Sequence, residues 1–311
     1  MTQTILILGA SGRVGQAAAR AFSDAGWTVR TFDRARDDLA RSAEGADVIL
    51  HAMNPAYPDW ATQALPLLDR TLAVAERTGA LVILPGNVYV FGDGAPELLG
   101  PATPHAARNP LGRIRIEMEA RLSRAACPTL VLRAGDFIDS GPSGNWFDKV
   151  ILGQLDKGRF VYPGALDRVH AWAWLPDLAR AMVGLAERRG DLPAHADVPF
   201  PGFALTGAEL HAAVSRVAGT TLALRRFPWW QLALAAPVWK MARGLREMRY
   251  LWSMPHRLDP APLGRLLPDF QPTDPDEALR LAVAALRGQG GVTSTHTSAR
   301  RPISGHSSPA A

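Results

Sequence analysis

Ile5-Leu6-Ile7-Leu8 runs directly into Gly9-Ala10-Ser11-Gly12-Arg13-Val14-Gly15 and then into an alanine-rich stretch that ends near Gly26. The apolar tetrad is short and does not alternate with polar residues, the pattern of a strand buried on both faces. Glycines at 9, 12 and 15 allow a tight turn, close backbone approach to a ligand and close packing of the next helix. A helix that opens at such a turn offers unpaired amides and the positive end of its dipole to a phosphate. A second strand is predicted over Thr28-Val29-Arg30-Thr31-Phe32 and ends at Asp33. That is about twenty residues on, where a dinucleotide-binding unit carries its acidic residue. Gly9, Ser11, Gly12, Arg13, Val14 and Gly15 are therefore the expected cofactor cradle.

Asp33 bears on which cofactor. A carboxylate at the end of the second strand can accept hydrogen bonds from the adenosine ribose and repels a 2′-phosphate, which favours NAD. Arg34 and Arg13 pull the other way, because a guanidinium near the ribose could grip that phosphate and admit NADP.

Beyond Asp33 the chain predicts a short polar helix around Asp37 to Ala43 and an apolar strand, Val48-Ile49-Leu50-His51-Ala52. The interval has no room for the full helix and further edge strand of an ordinary dinucleotide fold. One edge strand is expected to be missing or vestigial on the adenine side. Leu65, Leu68, Leu72 and Ala75 predict a helix from about Trp60 to Thr78, ended by Gly79. The strand Leu81-Val82-Ile83-Leu84 then delivers Pro85-Gly86-Asn87-Val88-Tyr89 to the carboxyl edge, where open parallel sheets bind ligands. Ala52 and Pro85, at the ends of adjacent strands, join the expected cofactor contacts. A helix from about Gly112 to Ala125 and a strand Thr129–Arg133, ending at Gly135-Asp136, complete a Rossmann-type, doubly wound parallel α/β domain over residues 1–140. Helical stretches at Trp146–Leu155, Pro176–Arg188 and Thr206–Ala218, the last capped by Thr206, predict a smaller mixed, mainly helical substrate lobe over 141–287. Residues 170–190 are expected to return and pack on the first domain. From Gly288 onward glycine, serine, threonine and proline dominate without apolar period, so 288–311 reads as a disordered tail.

Size and composition narrow the function classes. A chain of 311 residues with 47% hydrophobic content can bury a substantial core. Cys127 is the sole cysteine, which excludes an intrachain disulfide, and no basic-then-apolar segment opens the chain, so a cytoplasmic location is expected. The eight histidines show no metal-ligand spacing, and no metal site is expected. The net charge is +5 and the isoelectric point about 9.9, yet the arginines are scattered and not gathered into an aromatic-interleaved tract. The charge suits a phosphorylated cofactor or small-molecule substrate, and no nucleic-acid partner is expected.

The ordered motifs GASGRVG, DVILHA, PGNVYVFG, NPLGRIRIEMEARL, LVLRAGDF and WLPDLARAMVGL together resemble the extended short-chain dehydrogenase/reductase superfamily, which contains the NAD-dependent nucleotide-sugar epimerases and dehydratases. The resemblance spans about residues 3–285 and implies hydride chemistry on a small or nucleotide-linked substrate. It also marks the chain as atypical. The superfamily works through a serine, a tyrosine and a lysine. Matching its motifs places Pro85 at the serine, Leu111 at the tyrosine and Arg115 at the lysine. Leucine cannot transfer a proton, and arginine keeps its charge but is a poor base. Arg115 could still bind the nicotinamide ribose or a phosphate.

Tyr89, beside Asn87, is then the candidate proton donor, provided Arg115 or Arg113 lowers its pKa; otherwise its role is structural. Asn87 either closes a turn or stabilises an oxyanion. His51 reads as a core histidine or a cofactor neighbour, and Asp136 as a cap, an ion-pair partner or a group that orients a substrate hydroxyl. The segment Phe227–Trp239, between Arg225-Arg226 and Lys240, reads as a lid or a homodimer contact in preference to a membrane-surface helix. Two functions follow: an NAD(P)-dependent epimerase/dehydratase-like enzyme with non-standard residues, or a non-catalytic dinucleotide sensor or assembly protein.

Overall fold

All five residues of β1 (Thr4–Leu8) are buried, and the pleat divides them between two cores. Ile5 and Ile7 pack with Ala18 and Phe22 on one side, while Leu6 and Leu8 pack with Trp60, Leu68 and Leu72 on the other. In the computed structural model, which describes residues 2–290, the chain continues through α1 (Arg13–Asp24), β2 (Thr28–Phe32), the short α2 (Leu39–Ala43), β3 (Val48–His51), α3 (Trp60–Thr78) and β4 (Leu81–Gly86). Next come β5 (Leu98–Leu99), α4 (Pro110–Arg124), β6 (Thr129–Arg133), β7 (Asp136–Ile138), β8 (Arg159–Tyr162), β9 (Val169–Trp174), α5 (Leu175–Glu187) and β10 (His195–Pro199).

Six of these strands form one parallel sheet in the order β2-β1-β3-β4-β6-β10. β2 is its outer strand, so the edge strand that the short Asp33–Val48 interval cannot encode is indeed missing. Only α2 occupies the interval, with Asp38 accepting from the Arg41 amide at 2.8 Å. α3 spans the predicted residues and ends where Gly79 takes a φ of 73°, a left-handed turn that suits glycine. α1 and α5 cover one face of the sheet; α3 and α4 cover the other. The returning segment extends past residue 190, because β10 supplies the sixth strand.

The remaining elements are β11 (Phe203–Thr206), α6 (Gly207–Ala218), β12 (Ala223–Arg226), α7 (Trp229–Ala235), α8 (Lys240–Glu247), β13 (Arg257–Leu258), α9 (Ala261–Leu266) and α10 (Pro275–Gly290). Three small sheets, β11-β9-β7, β12-β8 and β13-β5, join them to the earlier chain. β7, β8 and β9 with α6 and α10 close a third core around Trp172, Trp174, Phe160 and Leu210, whereas Leu99 and Leu258 of the β13-β5 pair join the core against α3 and α4. Thr206 caps α6 as predicted and forms a reciprocal box with Glu209: its hydroxyl accepts from the Glu209 amide, and a Glu209 carboxylate oxygen accepts from the Thr206 amide. Two expectations need correction. The stretch 146–155 is not one helix but a wide turn over Phe147–Ile151 followed by a tight one over Leu155–Lys157. α10 runs to Gly290, so 288–290 are helical, and the rest of the proposed tail lies outside the described residues.

Candidate active site

The carboxyl ends of β1, β3, β4 and β6 open into a cavity of about 680 Å³ between the sheet and the smaller lobe. Its floor is the glycine turn. Gly9 has a φ of 94°, and a Cβ there would stand 2.7 Å from the Ala52 backbone; one on Gly15 would stand 2.3 Å from the Gly9 carbonyl. These two glycines hold the turn against its neighbours. A Cβ on Gly12 would approach only the Gly9 carbonyl, at 3.3 Å, and Gly12 itself lines the cavity. Gly12 precedes α1 without a side-chain cap, so the first-turn amides after it are left for a ligand. Ser11, Arg13, Val14, Ala52 and Pro85 line the same cavity, and the Arg13 guanidinium donates to the Gly144 carbonyl at 3.0 Å, tying the cradle to the lobe.

Three expected cofactor residues lie elsewhere. Gly15 is buried beneath the turn. Asp33 and Arg34 are exposed at the end of β2 and do not line the cavity. The Asp33 carboxylate accepts from the Ala35 amide at 2.9 Å and faces Arg36 at 3.5 Å, because the chain turns sharply there to enter α2.

At the far end of the cavity the three candidate catalytic residues do come together. The Asn87 side chain accepts from the Tyr89 amide at 3.0 Å and shapes the turn that presents Tyr89. Arg115, buried on α4, donates to the Pro85 carbonyl at 2.9 Å and lies over the Trp60 ring at 5.5 Å. Tyr89 shares a 2.6 Å hydrogen bond with Tyr57, a partner hidden in a segment whose prolines suggest only a turn. The electrostatics reverse the expected effect on Tyr89. Burial raises its pKa well above 10, the neighbouring Tyr57 and Asp136 add to the rise, and Arg115 offsets it only in part. Burial likewise pushes Tyr57 up to about 12. Both phenols stay protonated at neutral pH, as donors and not as bases.

The structure adds a pair that the sequence does not announce. Asp136, at the start of β7, accepts from His170 Nε2 across 2.7 Å, and both residues line the cavity. His170 is buried, stacked flat on Trp252 at 4.4 Å and edge-on to His256 at 4.5 Å, so its ring is fixed. Thirty-four residues separate the two in sequence, and only the parallel pairing of β7 with β9 brings them together.

His51 also lines the cavity. Thr71 donates its hydroxyl to the Leu67 carbonyl at 3.0 Å, so it must accept from His51 Nδ1 at 2.8 Å, which leaves Nε2 as a lone-pair acceptor. Burial, helped by the Arg115 charge, lowers the His51 pKa to about 3, and the ring is neutral. His51 Nε2 and Arg115 Nε are both buried without a protein partner, one an acceptor and one a donor. With the open face of Gly12, these atoms fit a polar, phosphate-bearing ligand.

Among the described residues, one cluster of metal-ligand type, His105, Glu119 and Asp197, is already engaged. The buried Arg133 guanidinium bonds Glu119 through both nitrogens, at 3.0 and 2.7 Å, and Asp197 at 2.7 Å. It also donates to the Asn87 carbonyl at 2.7 Å, bracing the turn that carries Tyr89.

No protein-family model matches the chain, and no curated protein does. Solved structures do. A UDP-glucose 4-epimerase from Stenotrophomonas maltophila with bound NAD and formylated UDP-arabinopyranose superposes with a TM-score of 0.72 at 15% identity, over 93% of this chain and 99% of that one. A UDP-glucuronic acid 4-epimerase from Bacillus cereus in complex with NAD gives 0.71 at 12% identity, over 92% and 99%. A NAD-dependent NDP-hexosamine 5,6-dehydratase of tunicamycin biosynthesis gives 0.71 at 16%, over 92% and 98%. Along nearly its whole described length, the chain shares the fold of these two epimerases and this dehydratase.

Proposed function

We propose that the protein is an NAD-dependent oxidoreductase of the epimerase/dehydratase type, acting on a nucleotide-linked sugar or a similar polyol. The observation that carries this reading is one continuous cavity that runs from the open face of Gly12 to the Asp136–His170 pair. Gly12, Ser11, Arg13, Val14, Ala52 and Pro85 would hold the cofactor, which when bound supplies a hydride acceptor. Two of the structural neighbours contain NAD, which supports NAD as the cofactor; NADP is the alternative.

The chain's own residues supply the proton chemistry. Alcohol oxidation needs an acceptor for the hydroxyl proton. Leu111 cannot be one, and Tyr89 and Tyr57 are held protonated. Asp136 is the cavity-lining carboxylate that would take that proton, and His170, locked by Trp252, orients it through their hydrogen bond. Tyr89 is a hydrogen-bond donor to the substrate oxygen, Arg115 contributes positive charge, and Asn87 sets the turn.

The test begins with calorimetry of NAD(H) and NADP(H), followed by turnover on a panel of nucleotide sugars read by product NMR and NADH absorbance. Cofactor binding with turnover that falls at least about a hundredfold in Asp136→Asn, at unchanged cofactor affinity, is the expected result. The loss of the usual tyrosine, serine and lysine also suits a non-catalytic binder. Tight NAD binding without turnover across the panel would select that reading.

A further inference from the structure

α7 is anchored by one tryptophan and displays another. Trp229 is buried, its indole nitrogen donating to the Pro163 carbonyl at 2.7 Å, with Phe227 and Trp146 against it. Trp230, by contrast, is 63% exposed, Leu234 72%, Val238 88% and Trp239 49%. Trp230 and Leu234, four residues apart, share one face of α7, and Val238 and Trp239 follow in the turn that leads to α8. Only three other large hydrophobic side chains among the described residues are exposed to a comparable degree, and one of them, Leu224, stands just upstream on β12. The apolar exposure is concentrated here, in a ten-residue stretch.

Charge distribution says what such a face would meet. From Leu210 to Arg246 the sequence contains no aspartate or glutamate. Arg225 and Arg226 precede the apolar run, and Lys240, Arg243 and Arg246 follow it. All five are exposed, and among the described residues none forms a salt bridge. No helix of the described chain is long and apolar enough to cross a membrane, so the face would lie on a surface and not span it. A second copy of the chain would set these cations against themselves, which opposes a self-complementary contact. Exposed tryptophans beside leucine and valine, flanked by unpaired cations, match instead the apolar boundary and negative headgroups of an anionic lipid surface.

We propose that the α7–α8 face docks on anionic lipid bilayers, with Trp230, Leu234, Val238 and Trp239 entering the headgroup boundary and Arg225, Arg226 and Lys240 pairing with the headgroups. This proposal does not depend on the cofactor or the reaction. It is tested by co-sedimenting the full-length chain with phosphatidylcholine vesicles and with mixed phosphatidylcholine–phosphatidylglycerol vesicles, over a salt series. Two variants accompany it, Leu234→Asp/Val238→Asp and Arg225→Glu/Arg226→Glu. Their side chains are exposed, and an unchanged thermal melt verifies that both fold. The expected result is binding to the anionic vesicles at least about tenfold above the neutral ones, weakened by salt, and lost by a similar factor in each variant. Equal partition onto both vesicle types, or none onto either, would overturn the proposal. So would a wild-type dimer that the Asp variant dissociates while vesicles are ignored, since the face would then be a self-interface.

Discussion

Gly9 and Gly12 stand three residues apart and should answer a side chain in different ways. Gly12→Val has space at its own backbone but fills the cavity floor, so the expected outcome by calorimetry is loss of NAD(H) affinity in a protein whose melting temperature is little changed. Gly9→Ala meets the Ala52 backbone and keeps a positive φ, and should instead cost stability, on the order of 1–3 kcal/mol by denaturant titration. Such contrasts were half visible in the sequence. The spacing of Gly9, Gly12 and Gly15 marks a phosphate turn because each position has a distinct steric duty. Asp33 followed the same logic to the right strand end, but the sharp entry to α2 directs its carboxylate into local bonds. Tyr57 and His170 were not legible, because a side chain's partner across a cavity leaves no mark on the spacing of its own neighbours.

Among elements, the buried Arg133 joins β6 to α4 through Glu119, to β10 through Asp197 and to the turn after β4 through the Asn87 carbonyl. Arg133→Met would leave the buried Glu119 and the partly buried Asp197 carboxylates without their cation. It should destabilise the fold by about 3–5 kcal/mol, the range for breaking a buried pair from one side. Urea denaturation measures it, and a loss under 1 kcal/mol would show that water reaches Glu119. The elements of the first domain were readable because each carries its own signal: an apolar run, a helical period, a terminal glycine. Even the missing edge strand was readable, since the chain between Asp33 and Val48 is too short for it. The smaller lobe resisted for the opposite reason. β12 pairs with β8 from more than sixty residues away and has no buried position, and β10 carries Asp197 and Pro199 within a buried strand. Local pattern does not encode such pairings.

For the molecule as a whole, acid should act through neutral buried histidines. Burial holds His51 and His256 near a pKa of about 3, far below 6.5. As pH falls below about 6.5 the unfolded chain takes up protons that the folded chain refuses. Stability is therefore retained above that pH and lost below it, toward 3, at up to about 1.4 kcal/mol per pH unit for each histidine. Denaturant titrations between about pH 6.5 and 5 should show this slope, and His51→Asn should reduce it by close to one proton's worth.

Gly244 of α8 packs so tightly on Tyr57 that a Cβ there would lie 2.7 Å from the ring. The helix that follows the exposed tryptophans is thus in direct contact with the phenol that holds Tyr89. Met241 of the same helix lines the cavity. Under the proposed docking, a bilayer and a dinucleotide would be ligands of one body, and linkage is reciprocal: whatever factor vesicles apply to cofactor affinity, the cofactor must apply to vesicle affinity. Calorimetry of NAD(H) with and without anionic vesicles measures one side of that cycle, and vesicle binding with and without NAD(H) measures the other. Gly244→Ala, by wedging α8 from Tyr57, should alter the common factor while leaving the lipid-facing side chains as they are.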